Sequence, residues 1–241
     1  MTRASLVCLS MLLCAPGIAA GTVDASNYDS FWLWSGVRPQ PALKHARTVY
    51  VLQGQIEARR GDESQVRFIA QGVAVPDRQP VEVWLAYRVH TLHWTPREYT
   101  ILLAQLHRWR QAGNKVVGVQ IDFDARTLHL QEYADFLAQF RRQLPSDYRL
   151  GITGLLDWGS HVDPEQVNRL RGIVDEVVVQ TYQGRHTIDN YSAYLPRVSQ
   201  LNMPFKIGLI QAGNWDAPSY IAERPWFRGY VVFLQNPHRP K

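Results

Sequence analysis

Eight short apolar runs recur along the chain, most of them rich in β-branched residues and separated by stretches with helical spacing. They are residues 31–34 (FWLW), 48–53 (TVYVLQ), 81–87 (VEVWLAY), 116–124 (VVGVQIDFD), 149–154 (RLGITG), 176–181 (EVVVQT), 205–210 (FKIGLI) and 229–233 (GYVVF). Runs this short and this apolar suit strands covered on both faces, as in a parallel sheet. Parallel neighbours need crossovers, and the stretches between the runs supply them. Eight such units in about 220 residues predict an α/β chain folded as a (β/α)8 TIM barrel, one domain over residues 21–241.

The intervening helices carry their own punctuation. Residues 96–112 have Thr95 as N-cap, Glu98 placed for a capping box and Gly113 as the stop. Residues 130–144 space Tyr133, Phe136, Leu137 and Phe140 for one buried face, and Pro145 ends them. Further helices are expected over 163–173, 190–201 and 217–224. The first quarter is irregular. Residues 56–75 read as a hairpin turning at Arg60-Gly61-Asp62, in place of the second helix.

Ahead of the barrel, Arg3, the apolar run 4–13 and the small residues Gly17-Ile18-Ala19-Ala20 read as a signal peptide over residues 1–20, with the mature protein periplasmic or secreted. Both cysteines, Cys8 and Cys14, fall inside it. Leu13 stands where a small residue usually precedes a lipidated cysteine, so anchoring at Cys14 is not expected. No later stretch has the length of a membrane span. The 26 basic residues exceed the 21 acidic ones only slightly and are scattered. Without a basic cluster interleaved with aromatics, no nucleic-acid partner is expected.

In such barrels the site lies at the carboxyl ends of the strands. On the fourth, Gln120, Asp122 and Asp124 share one face, because side chains alternate. Two acids about 6.5–7 Å apart at Cα disfavour each other's ionisation, so one can hold the proton that acid catalysis of glycoside cleavage requires. A strand end solvated by two ordinary acids, or paired with Arg126, remains open on these residues alone. Elsewhere the ends offer Tyr87 after strand three, Trp158 after five, Gln180 and Tyr182 on six, Gln211 and Trp215 after seven and Phe233 on eight. Amides, carboxylates and aromatics with few lysines suit sugar hydroxyls and amides better than phosphate. Each has a structural alternative: Tyr182 as a half-buried core residue, Trp158 and Trp215 packed beneath their own loops, Gln180 satisfying backbone in the barrel mouth. His90 and His93 have no third ligand at a telling spacing, so no metal is expected.

Residues 118–124, Gly-Val-Gln-Ile-Asp-Phe-Asp, resemble the fourth-strand motif of the chitinase-like glycoside hydrolases of family 18, Gly-x-Asp-x-Asp-x-Glu with an aromatic before the glutamate. Gln180-Thr181-Tyr182-Gln183 resembles that family's sixth-strand motif, in which aspartate follows the tyrosine. Residues 205–213 resemble its seventh strand, and Phe233 stands where the family has a tryptophan. The whole is similar to an uncharacterised family of bacterial exported domains of unknown function allied to those barrels. The resemblance implies a retaining mechanism in which the substrate's own N-acetyl oxygen attacks the anomeric carbon. Asp124 is then the general acid, Asp122 orients the acetamido group, Tyr182 hydrogen-bonds to it and Gln120 supports Asp122. Tyr87, Trp158, Trp215 and Phe233 offer faces to sugar rings, with neither metal nor organic cofactor. Three positions depart from the pattern. Asp124 is shorter than glutamate by about 1.5 Å, and misplacement by about 1 Å can cost on the order of a hundredfold in rate. Gln120 and Gln183 replace aspartates. Two functions follow: a glycosidase acting on an N-acetylhexosamine glycan, or a catalytically silent barrel binding envelope carbohydrate or a protein partner.

Overall fold

Each of the eight apolar runs forms a strand, and all eight are parallel. The computed structural model describes residues 21–34, 36–74, 80–123, 130–156, 167 and 169–236. Barrel strands one to eight are Ser30–Leu33, Thr48–Arg59, Glu82–Val89, Lys115–Phe123, Arg149–Leu155, Glu176–Gln180, Phe205–Ile210 and Phe227–Phe233. Each pairs with the next, and strand eight returns to strand one through Val232 beside Phe31 and Phe233 beside Trp32. The sheet is therefore closed, as the alternation of strands and helices predicts.

The outward faces of these strands, including Val119, Ile121, Leu150, Ile152, Val177 and Val179, are buried in the main core. Leu102, Leu106 and Trp109 from helix Pro96–Gln111, and Tyr133, Leu137 and Phe140 from helix Leu130–Gln143, belong to the same core. A fully buried side chain of this kind contributes about 1.5–3 kcal/mol, so the helices are held by their apolar stripes. The first of these helices starts as its sequence predicts. The Thr95 hydroxyl accepts from the backbone N–H of Arg97, and the Glu98 carboxylate accepts from the backbone N–H of Thr95 at 2.8 Å. Of the helix expected over 163–173, residues 163–166 and 168 lie outside the described residues, while 169–173 are not helical but form turns, with an isolated bridge between Arg171 and Val174. The stretch 190–201 is not one helix but a 3-10 turn, Tyr191–Ala193, followed by the short helix Leu195–Val198. Pro196 has no N–H to continue a helix from upstream, so it serves in a first turn.

Strand two is longer than the apolar run implies. It passes a bulge between Leu52 and Gly54, continues to Arg59, turns at Gly61 (φ +84°) and returns as the antiparallel strand Asp62–Ala70. Phe68 explains why this hairpin stands in for a helix. Its ring covers Gly54, where an added Cβ would lie 2.3 Å from ring atoms, and it meets Tyr87 at 6.3 Å between centroids, within the range of about 4.5–7 Å for aromatic pairs. The returning strand thus covers part of the outer wall that a second helix would otherwise seal.

Inside the barrel a separate cluster gathers Trp32, Tyr50, Trp84, Val178 and Val231. Tyr50 and Trp84 stack at 5.6 Å and 17°. The indoles fit because glycines face them: a Cβ at Gly118 would sit 2.7 Å from the Trp84 ring, and one at Gly208 would sit 2.7 Å from Trp32. The barrel centre is therefore solid, and only its two ends are open to chemistry.

Candidate functional site

Period-two alternation places Trp32 and Trp34 of the first strand and its exit, Trp84 and Arg88 of strand three, and Gly118, Gln120 and Asp122 of strand four toward the barrel axis. Pairing between strands three and four sets Arg88 directly beside Asp122. The Arg88 Nε donates to Asp122 Oδ2 at 3.3 Å, and the Thr153 hydroxyl donates to Oδ1 at 2.8 Å. Asp122 is 5% exposed, whereas the Arg88 side chain is 46% exposed. A nearly buried carboxylate is tolerated here because a cation and a hydroxyl both serve it.

One layer deeper, Gln120 is fully buried and its Oε1 accepts from Trp32 Nε1 at 2.6 Å. Its Nε2 has no partner among the described residues. Around the other side of the mouth, the Tyr182 ring lies 6.3 Å from Trp32 and 5.7 Å from Phe233, and Phe233 meets Trp34 edge-on at 5.3 Å. The Arg88 guanidinium lies 5.7 Å from the Trp34 ring centre. Asp122, Gln120, Tyr182 and Phe233 thus share one bowl at the carboxyl ends of the strands. Gln180 is half-buried and lies on the same inward face as Val178 and Tyr182.

Other residues expected here lie elsewhere. Tyr87 points outward, fully buried in the main core, where its hydroxyl donates to Gln105 Oε1 at 2.7 Å. Burial raises its pKa well above the usual phenol value. The alternation that turns Trp84 inward must turn Tyr87 outward, which is the physical reason for the correction. Trp215 is buried in the outer core too, stacked on Tyr191 at 5.0 Å and 28° in a two-residue strand, Asn214–Trp215, that pairs with Gly21–Thr22. Gln211 is a tie between loops: its Nε2 donates to Gln40 and its Oε1 accepts from the backbone N–H of Gln235, each at 2.8 Å. Asp124 and Trp158 lie outside the described residues. Trp34 and Thr153, by contrast, join the bowl without having been singled out, and Arg88 joins them from among the polar residues at the end of strand three. Their signal was parity: each follows an inward residue by two positions. Among the described residues no group of three His, Cys, Asp or Glu could hold a metal ion, and no helix is long and apolar enough to cross a membrane.

Residues 93–191 match a family model described as Domain of unknown function (DUF3142). The DUF3142 match takes in Asp122, Thr153 and Tyr182 but leaves out Trp34, Arg88 and Phe233. No curated protein matches the chain in sequence. Among solved structures, the spore cortex-lytic enzymes SleL of Bacillus cereus and Bacillus megaterium are 16% and 10% identical, with TM-scores of 0.48 and 0.50. Each alignment covers 76% of this chain and 50% of the enzyme, so the chain spans half the length of these relatives. The tamarind chitinase like lectin is 10% identical with a TM-score of 0.50, over 86% of this chain and 94% of the lectin. At such identities the likeness shows the fold, and the fold is the chitinase-like TIM barrel that the fourth- and sixth-strand motifs imply.

Proposed function

We propose that this chain is an exported barrel that recognises an N-acetylhexosamine-containing glycan in the bowl at the carboxyl ends of its strands. One observation carries the reading: Asp122, served by Thr153 and Arg88, faces the aromatic wall of Trp34, Tyr182 and Phe233 across a single barrel mouth. Aromatic rings take the C–H faces of a sugar, and the carboxylate takes its amide N–H or hydroxyls. Neighbours named as a lectin and as cortex-lytic enzymes support both a binding and a cleaving form of the reading.

In the cleaving form, Asp124 gives its proton to the glycosidic oxygen as the bond from that oxygen to the anomeric carbon breaks. The acetamido oxygen bonds to the anomeric carbon, Asp122 holds the acetamido N–H and Tyr182 the group's oxygen. Water then opens the intermediate with retention. In the second form the barrel binds without cleaving. Two observations favour it: both Asp122 oxygens already have partners, and neutral Gln120 has its carbonyl turned to Trp32.

Calorimetric titration with chitin oligomers of two to six sugars, alongside chromatography of the products, tests the reading. Binding that weakens at least tenfold in Asp122→Asn is expected. Turnover abolished in Asp124→Asn identifies the cleaving form, and background turnover in both proteins identifies the binding form. Absence of binding to every N-acetylhexosamine oligomer, neutral or acidic, ends the proposal.

A further inference from the structure

The bowl contains hydrogen-bond donors for which the described residues supply no acceptor. Gln120 Nε2 and Trp34 Nε1 are buried and have no acceptor among the described residues. A buried donor left unmet is costly, and at a site open to a ligand the ligand can supply the missing acceptor. Arg88 adds a third element. Its Nε edge is engaged by Asp122, while neither Nη atom has an acceptor among the described residues and nearly half of the side chain is exposed. The planar guanidinium holds five donors in a fixed fork, and the edge formed by its two Nη atoms matches the two oxygens of a carboxylate.

The buried surplus is therefore one-sided: the orphaned atoms of Gln120 and Trp34 are both donors, and so are the Nη atoms of Arg88. A neutral sugar hydroxyl brings a donor along with its acceptor lone pairs, so it satisfies such a set only in part. A carboxylate brings acceptors alone, and its charge is what an Arg fork favours most. The Arg88 position adds a constraint. Its guanidinium is held between the Asp122 carboxylate on one edge and the Trp34 ring 5.7 Å away, which fixes the direction of the free edge. Ordering is thus settled before a ligand arrives, and less rotamer entropy is lost on binding.

We infer that the glycan taken by this bowl is acidic, with Arg88 selecting a carboxylate carried on or beside its hexosamine ring, an inference that rests on the glycan reading above. The carboxylate can be the acid of a hexuronate or that of a lactyl ether, and the two place it differently along the chain. Titration of the protein with three oligomers of equal length separates these cases: hyaluronan oligomers, which alternate glucuronate with N-acetylglucosamine; oligomers alternating N-acetylglucosamine with N-acetylmuramic acid; and neutral chitin oligomers. One of the acidic series is expected to bind at least tenfold tighter than chitin, with the difference shrinking as salt is raised. In Arg88→Gln the ratio of acidic to neutral affinity falls to about one. Arg88→Lys keeps a cation beside Asp122 and so protects the fold, yet it loses the fork and is expected to lose most of the ratio. Chitin bound as tightly as both acidic series, or a ratio unchanged in both variants, overturns this inference while leaving the glycan reading intact. Failure of all three series to bind overturns both.

Discussion

At the amino-terminal end of the barrel interior, the Tyr50 hydroxyl donates to Glu176, and the Lys206 ammonium reaches Tyr50 at 2.8 Å and Glu176 at 3.0 Å. At the carboxyl end, Arg88, Trp34 and Gln120 hold donors that no described residue accepts. The basal end also opens onto a depression of about 480 Å³, yet three of its four cations are paired with acids, Arg47 with Asp29, Lys115 with Glu82 and Lys206 with Glu176, while Arg228 donates to the carbonyls of Pro225 and Phe227. One interior therefore treats polar groups in two ways. Where charges close on each other they hold the barrel together, and where they stay open they are available to a ligand.

Breaking the closed end has the largest expected effect. In Lys206→Met the Glu176 carboxylate, 11% exposed, loses its cation, and removal of one partner from a buried pair costs about 3–5 kcal/mol. Urea unfolding monitored by tryptophan fluorescence checks it; a loss below 1 kcal/mol removes the claim that this end is structural. The same triad predicts an alkaline limit. Burial, reinforced by the nearby Glu176, raises the Tyr50 pKa well above its ordinary value, and burial raises that of Tyr87. Both contributions are complete below the unfolded phenol pKa of about 10 and are lost as pH rises beyond it. Stability should fall with a steeper slope above pH 10 than in Tyr87→Phe, which titrates one buried phenol fewer.

Between the two ends lies the aromatic layer, and Gly118 tests it. A Cβ there would lie 2.4 Å from the Arg149 carbonyl oxygen and 2.7 Å from Trp84. Gly118→Val is expected to cost about 3 kcal/mol, at the upper end of ordinary overpacking. Equal stability to the parent would mean that the indoles have room to move, and the two ends would then not be insulated from each other.

The strands were legible because each is covered on both faces and so reads as an apolar run. The hairpin was legible from Gly61, which alone tolerates the turn's positive φ without strain. The bowl was legible where a strand carries its own pattern, as Gln120 and Asp122 do on the fourth strand and Tyr182 does just after the sixth. Arg88 and Thr153 come to Asp122 through pairing between strands, and that register has no local signal in sequence. Tyr87 was misplaced by one position of parity, although Trp84 three residues earlier faces inward and so requires Tyr87 to face out. Trp215 was drawn away by pairing with Gly21–Thr22, nearly two hundred residues upstream. Comparing Tyr87→Phe with Tyr182→Phe turns this into a measurement. Loss of the Tyr87 hydrogen bond to Gln105 should cost about 1 kcal/mol of stability and leave glycan affinity unchanged, while Tyr182→Phe should weaken glycan binding.

Gln120→Met is the smallest expected change in stability and the sharpest test of the contrast between the two ends. Methionine has similar length and removes the orphaned Nε2, which relieves a desolvation cost. It also removes the acceptor for Trp32 Nε1, which creates a new orphan in the same place. Each change is worth about 1–3 kcal/mol and they have opposite sign, so the net effect on unfolding should be under about 1 kcal/mol. Affinity for the glycan has no such cancellation, because the lost Nε2 is a donor without an acceptor among the described residues and so is open to the ligand. A variant as stable as its parent but at least fivefold weaker in binding places the cost of the open donors at the ligand's side. One that unfolds as readily as Lys206→Met would make Gln120 part of the scaffold, and the two ends of the barrel would then differ in residue type rather than in purpose.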